Sequence, residues 1–551
     1  MQFLAGCDSP NYKFINLCRL KFGSVIEQLS IDNWPAFKLP TGYNPNPELK
    51  NLLNKIMNLN ANARIDFSPY LSNYSMVAPI YTIDTNLSQI HTYVASASLI
   101  HRFQGWQQIV YYLNDPQYDD PNLVNNIAKW FGINYVFTVS NQYTDNEVPI
   151  FERAGWKVLE GSYNDGILEF PQANSLAELS NRKTALVISQ KKVDAYDQVL
   201  TISLLGVLNY DDAFIVWGKD SIDDYSFEDF KKFDLVILQG YSYRNKKSAN
   251  SILNQYVESG GSVFIDTGWE SVVPDWQNDH PLDIIPLQKT EWKSLSMSSF
   301  FYNGDNKFTS DVDITKFAPL IYQNSAWKVS TSALTELKPW ARSEVIYEDY
   351  PLVVYGQIGQ GKVVWSGMNL FAHAKQKDKV NRDEIKLLTN IFSWLLQTDG
   401  KKIYEISYTR RDPDNLDFVV NEKVDNGGYL LWKEGYHPDM KAQLISKNKS
   451  EVKNLNIYRA GPGWALIEVP DMEQGDLIHY SYNKPFIETF ASLVSTSTYI
   501  FLILAVLDWF MGKHSIIGRL SAFGINKARL MYLKMKGKTT SWIGKDSEDE
   551  Y

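Results

Sequence analysis

The chain has 551 residues, of which 44% are hydrophobic, 14% aromatic and 21% charged, enough apolar surface for several folded units. Its formal net charge is -9 although the C-terminal tail is basic, so the body is acidic and nucleic acid is excluded as an expected partner. Only Cys7 and Cys18 are present, which rules out a disulfide framework or a cysteine metal cluster; the pair either bridges in an oxidising compartment or remains as two thiols.

In chain order, Met1 to Pro10 lacks the charged and apolar regions of a signal peptide. Leu4-Ala-Gly-Cys7 has the form of a lipoprotein cleavage box, but no apolar run precedes it. Residues 1–175 form a first α+β region. Leu49 to Leu59 reads as a helix, Ala63-Arg-Ile-Asp66 begins an extended segment, and Ser96 to Leu113 is rich in aromatic and aliphatic residues. Asn122 to Phe131 has helical spacing and runs into a strand at Gly132-Ile-Asn-Tyr-Val-Phe137. Asn73, Asn86 and Asn448 each begin a glycosylation acceptor triplet, a pattern common enough by chance to decide nothing.

Residues 176–399 alternate strand and helix patterns, as in a parallel sheet covered by helices. Ala185 to Ile188, Phe214 to Trp217, Phe233 to Leu238 and Ser262 to Asp266 are the apolar runs, with a helix from about Ser248 to Ser259 before Gly260-Gly261. This order resembles the class I glutamine-amidotransferase-like fold, in which a strand, a sharp turn and a helix present a cysteine nucleophile. The corresponding turn here is Leu238-Gln-Gly-Tyr241, so the resemblance implies the fold without its thiol chemistry. Pro351 to Trp365 reads as a hairpin around a glycine-rich turn; phosphate binding is disfavoured, because Lys362 begins a strand and no Ser or Thr follows it. Asn381 to Leu396 reads as an amphipathic helix.

Residues 400–485 carry short alternating strands at Phe418 to Val420, Gly428 to Trp432, Trp464 to Pro470 and Leu477 to Tyr480, the pattern of a β-sandwich. Residues 486–511 are apolar, and Phe490 to Leu507 has no charge; at about 1.5 Å per residue that run approaches the roughly 30 Å of a hydrocarbon core. Ser492, Ser495, Thr496 and Ser497 weaken it and favour a neighbouring helix or subunit as partner. The expectation is one transmembrane helix, the alternative a buried helix of a soluble domain. Residues 512–551 carry Lys513, Arg519, Lys527, Arg529, Lys534, Lys536, Lys538 and Lys545 with no acid before Asp546, so the positive-inside rule expects this tail in the cytoplasm and the large body outside it. That tail reads equally as a helix on an anionic membrane surface or as a solvated segment. A body of this size ahead of one late span leads us to expect a fragment or split product of a longer polytopic protein.

The segments from Asp66 onward, Arg102-Phe-Gln-Gly-Trp106, Gly132 to Phe137, and Tyr429-Leu-Leu-Trp-Lys-Glu-Gly-Tyr-His-Pro438 with the strands and helix after it resemble the extracytoplasmic part of large bacterial membrane proteins. These are the polytopic GT-C-like glycosyltransferases and the 6-pyruvoyl-tetrahydropterin-synthase-related membrane proteins. The resemblance is one of segment order over most of 60–510. It implies a part in cell-envelope glycan synthesis, with a polysaccharide or lipid-linked sugar as partner and the catalytic carboxylate on an early loop between helices. No helix bundle precedes the body here, so no catalytic residue carries across.

Within the body, Asp266 and Glu270 follow the third sheet strand, at the carboxyl edge where open α/β sheets bind ligands, and are the candidates for acid and base. Carboxylates in such places also cap helices or face water. The chain has sixteen tryptophans, and Trp269, Trp276 and Trp292 near that edge are candidate sugar-stacking residues, with core packing as the ordinary alternative. His91, His101, His280, His373, His437, His479 and His514 show neither zinc-ligand spacing nor a nearby nucleophile, so no metal or cofactor is expected. Three functions follow: the sugar-transfer accessory, a single-span binding or structural module for envelope polysaccharide or a partner protein, and a carboxylate-dependent hydrolase.

Overall fold

The computed structural model describes residues 55–56, 58–59, 63–67, 88–89, 121–138, 150–163, 166–172, 174–189, 203–269, 271, 273–295, 301–322, 325–374, 381–397, 400–412, 415–447, 452–482, 486–511 and 523–534. Cys7, Cys18, the 96–113 segment, Asn73, Asn86, Asn448 and Glu270 lie outside them. The chain divides into two compact units, one of Met1–Leu176, Lys183–Gly400 and Gly461–Gly463, the other of Ala177–Arg182, Lys401–Ala460 and Trp464–Tyr551.

In the first unit a five-stranded sheet runs in the order Ser88–Gln89, Arg64–Phe67, Ile133–Thr138, Gly166–Glu169, Lys157–Gly161. The helix Pro121–Phe131 leads into it. Proline at its first position loses no helical hydrogen bond, and Leu123, Val124, Ile127, Ala128, Trp130 and Phe131 form its buried face.

The larger sheet of this unit runs in the order Phe301–Asn303, Ala341–Tyr347, Tyr350–Ile358, Gly361–Ser366, Ser262–Asp266, Leu235–Gln239, Lys183–Ile188, Ala213–Trp217. From Gly361–Ser366 onward the pairing is parallel. Those strands are buried almost throughout, which is why their sequences are continuous apolar runs. The helix Lys246–Glu258 begins at Asn245, whose side chain accepts from the N–H groups of Lys247 and Ser248. This helix and Arg382–Leu396 both pack on the Ser262–Asp266 and Gly361–Ser366 strands. The hairpin Tyr350–Ile358 to Gly361–Ser366 turns at Gly359, whose φ is 60°.

The second unit holds a five-stranded antiparallel sheet in the order Ile406–Asp412, Asn415–Val420, Leu477–Tyr482, Met440–Ile445, Val452–Leu455. A second antiparallel set runs Ile457–Ala460, Trp464–Val469, Gly428–Gly435, Ala177–Ser180, Ile403–Tyr404. Tyr408 and Phe418 from the first meet Trp432 from the second edge to face, at 5.1 and 5.4 Å between ring centroids.

Two expectations need correction. The sequence reading expects a parallel amidotransferase-like sheet domain with an N-terminal α+β region, a C-terminal β-sandwich and one transmembrane helix; the fold is instead a mixed, strand-rich α/β chain of several sheets, in which parallel pairing is confined to part of one sheet and of the Arg64–Phe67 sheet. The long stretch between Asp266 and Gly361, for which the sequence reading placed no element before Pro351, makes short antiparallel strands at Glu291–Ser294, Phe301–Asn303, Lys328–Thr331 and Ala341–Tyr347. The second correction concerns the span. A helix forms at Phe486–Met511, but among the described residues no helix is long and apolar enough to cross a membrane. Its amino-terminal half is interrupted by hydroxyls: Thr496, Ser497 and Thr498 donate to the carbonyls of Ser492, Leu493 and Val494 one turn back, at 2.8, 2.7 and 2.8 Å. The unbroken apolar run is only Tyr499 to Leu507, which at about 1.5 Å per residue falls well short of a roughly 30 Å hydrocarbon core. The membrane localisation, and the inside and outside assignments that depended on it, fall with the span.

Candidate functional site

The carboxyl edge of the parallel strands gathers the polar groups of the first unit. The Leu235–Gln239 strand ends in Gly240, whose φ of 61° turns the chain sharply. Gly240 N–H donates to Ser271 Oγ at 3.1 Å, and Ser271 donates to the Asp266 carbonyl at 3.3 Å. No hydroxyl or thiol nucleophile stands in the turn except the phenol of Tyr241, which is buried and donates to Asp275 Oδ2 at 2.9 Å.

Asp275 is the hub of this edge. Fully buried, it also accepts from Tyr243 Oη at 3.0 Å and from Asn278 Nδ2 and Leu282 N–H at 3.2 Å each on Oδ1. Burial raises its pKa, opposed by the tyrosine hydroxyls and the Leu282 amide. The same burial, together with the Asp275 charge, pushes Tyr241 well above the ordinary tyrosine range and raises Tyr243 as well. Tyr241→Phe keeps the ring and removes one donor from a buried carboxyl. We expect a loss of about 1–2 kcal/mol of unfolding free energy by urea denaturation, and no loss would contradict the hub role.

Asp266 ends the neighbouring strand and is fully buried. Its Oδ1 accepts from Leu370 N–H at 2.9 Å and its Oδ2 from Phe371 N–H at 3.1 Å, so the carboxyl closes the start of the short helix Leu370–His373. Asn369, just before that helix, has φ 49° and offers no side-chain cap of its own, which gives Asp266 the place. Burial raises the Asp266 pKa to about 7, against the lowering effect of those amides, the Ser366 hydroxyl and nearby His373.

His373 Nδ1 lies 2.8 Å from Glu384 Oε2, both side chains fully buried, and Glu384 Oε1 accepts from Ala318 N–H at 3.1 Å. The His373 ring also meets Trp327 edge to face at 5.0 Å. Among the described residues no group of three His, Cys, Asp or Glu side chains could hold a metal ion.

The predicted tryptophans are all half-buried and paired. Trp269 meets Trp327 at 4.5 Å and Trp276 meets Trp292 at 4.6 Å, both edge to face. The edge thus brings Asp266, Trp269, Trp276 and Trp292 into one region, and adds Tyr241, Tyr243, Asp275 and the His373–Glu384 pair, which sequence reasoning missed. No spacing rule links those residues; Asp275 and its tyrosine partners are separated by 34 and 32 positions. Among the described residues, the second unit holds a cavity with a volume of about 410 Å³.

Residues 208–273, covering the strands Ala213–Trp217, Leu235–Gln239 and Ser262–Asp266, match the model of a domain of unknown function, DUF8560. No curated protein sequence matches the chain. Among solved structures, a cytoplasmic protein from Salmonella typhimurium LT2 is 11% identical, covering 39% of this chain and 99% of that one, with TM-score 0.28. A putative ThuA-like protein from Bacteroides uniformis is 15% identical over 40% of this chain and 92% of its own, with TM-score 0.27. A β-galactosidase from Bacillus circulans sp. alkalophilus is 10% identical over 55% of this chain, with TM-score 0.25, and the chain spans only 42% of its length. Neither the family model nor these structures bear on the resemblance to GT-C-like or pyruvoyl-tetrahydropterin-synthase-related membrane proteins.

Proposed function

We propose that the chain is a non-catalytic recognition module for a polysaccharide, its α/β unit serving as a scaffold. The observation that carries this reading is the state of the carboxyl edge. Where an amidotransferase-like turn would present a nucleophile, the chain has Gln239, Gly240 and a tyrosine already bonded to Asp275. Among the described residues, the two buried carboxyls of that edge are engaged by internal donors, Asp266 by two backbone amides and Asp275 by two phenols, an amide side chain and a backbone amide. An acid or base for glycoside hydrolysis has to reach the glycosidic oxygen or a water, and fully buried groups held this way do not. The half-buried indoles at the edge and the cavity of the second unit provide surfaces suited to sugars.

The test is thermal unfolding in the presence of soluble neutral polysaccharides. A rise in Tm with at least one of them, with no release of new reducing ends, is the expected outcome. Turnover that disappears in a folded Asp266→Asn variant would replace this reading with the hydrolase.

A further inference from the structure

The cavity of the second unit lies where the chain passes from one sheet to the other. Val452–Leu455 is the outer strand of the first sheet, Ile457–Ala460 belongs to the second, and Asn456 is the corner between them. Tyr436, Pro438, Met440, Lys441, Ala442, Gln443, Asn454, Leu455, Asn456 and Ile457 line it, and its volume of about 410 Å³ falls within the range of small-molecule sites, roughly 300–1,000 Å³.

Its chemistry is narrow. Tyr436, Pro438, Met440, Leu455 and Ile457 supply apolar surface, and Tyr436 is half-buried with burial raising its pKa, so its phenol stays neutral. Among the described residues the polar groups are the Tyr436 phenol, three amide side chains and one exposed lysine, with no carboxylate. The amides are already oriented. Gln443 and Asn454 stand opposite one another on paired strands, and Gln443 Nε2 donates to Asn454 Oδ1 at 3.0 Å. That bond leaves Gln443 Oε1 as an acceptor and Asn454 Nδ2 as a donor. Asn456 Nδ2 donates to Glu468 Oε2 at 2.9 Å, Glu468 being held in turn by the Tyr458 hydroxyl at 2.7 Å, so the Oδ1 of Asn456 is the acceptor that remains. Fixed neutral amides that offer acceptors and a donor side by side, next to an aromatic ring, match the adjacent hydroxyls and the C–H face of a pyranose. Holding those amides before binding lowers the ordering cost on association.

We infer that this cavity is the glycan-binding site of the molecule and that its ligand is a short neutral oligosaccharide. The inference rests on the recognition reading above and gives it a location, in the second unit rather than at the carboxyl edge of the first. Tyr436 stacks on a ring, Gln443, Asn454 and Asn456 read hydroxyls, and Lys441 adds a donor at the rim.

Isothermal titration of the full chain with cellotetraose, maltotetraose and chitotetraose tests it, in wild type and in Tyr436→Ala, Tyr436→Phe and Asn454→Ala. Asn454 is exposed, so its truncation leaves the fold intact even where Tyr436→Ala does not, and thermal melting checks each variant. The expected result is saturable binding of at least one sugar by wild type. Affinity falls at least about tenfold in Tyr436→Ala, is retained in Tyr436→Phe and falls several-fold in Asn454→Ala. Wild-type binding unchanged in both alanine variants overturns the site and leaves the recognition reading standing, pointing back to the indoles of the carboxyl edge. No binding of any of the three sugars by wild type overturns both.

Discussion

Asp266→Ala is expected to lower the unfolding free energy by about 3 kcal/mol at pH 5, as measured by urea denaturation. The substitution leaves the Leu370 and Phe371 amides without acceptors where no water reaches, each a loss of about 1–3 kcal/mol, and opens a void beneath them. The effect depends on pH in a direction the burial fixes. In the folded chain the carboxyl titrates near 7, against an ordinary value of 3.8. Between those values the native state keeps a proton that the unfolded state has lost, so this group makes wild-type stability fall as pH rises from about 4 to about 7. Above that window the charged form is buried at full cost. The alanine variant lacks this titration, so the gap between wild type and variant is widest below about pH 4 and narrows as pH rises to about 7. A gap that widens with rising pH would mean that Asp266 is held as a stabilised anion, as an acid or base in a working site could be.

Gly268→Ala is the second large effect. Gly268 has φ 124°, where a side chain is strained, and a Cβ there would stand 2.6 Å from Asn369 N, 2.7 Å from the Gly367 carbonyl oxygen and 2.8 Å from the Met368 carbonyl carbon. All are backbone atoms, so no rotamer change relieves the clash. The displaced segment carries Asn369, whose N–H donates to the Thr267 carbonyl at 2.5 Å and whose side chain donates to the Trp269 carbonyl at 2.6 Å. Strain and overpacking together should lower stability by roughly 4 kcal/mol. A folded variant within about 1 kcal/mol of wild type would show that the 367–369 segment is not held as tightly as these distances imply.

The parts of this fold legible in the sequence are those whose burial writes a regular pattern. Ser262–Asp266 and Leu235–Gln239 are buried on both faces and therefore read as apolar runs, and Pro121–Phe131 shows its helical face. The hairpin at Gly359 is legible because its turn demands glycine. The strands between Glu291 and Tyr347 are mostly three or four residues long, too short for any period to show. The helix Phe486–Met511 was visible, and so was the weakening by the Ser492 to Ser497 hydroxyls, but the uncharged length was given more weight than that weakening. For the site, position at a strand end identified Asp266, while its task did not follow from position: the amides it accepts lie 104 and 105 residues away. Asp275, Tyr241 and the His373–Glu384 pair are joined only by tertiary packing. The cavity at Asn456 arises where two sheets part, which no local pattern records.

The central claim is recognition without catalysis. One titration addresses it most directly: cellotetraose, maltotetraose and chitotetraose are added to the full-length wild-type chain, with heat of binding and reducing ends followed in the same sample. The account predicts saturable binding of at least one sugar and a reducing-end signal that stays at the no-protein level through many hours. Reducing ends that accumulate in proportion to protein concentration would contradict it, because the buried, internally bonded carboxyls of the α/β unit would then be performing chemistry that this structure gives them no route to perform.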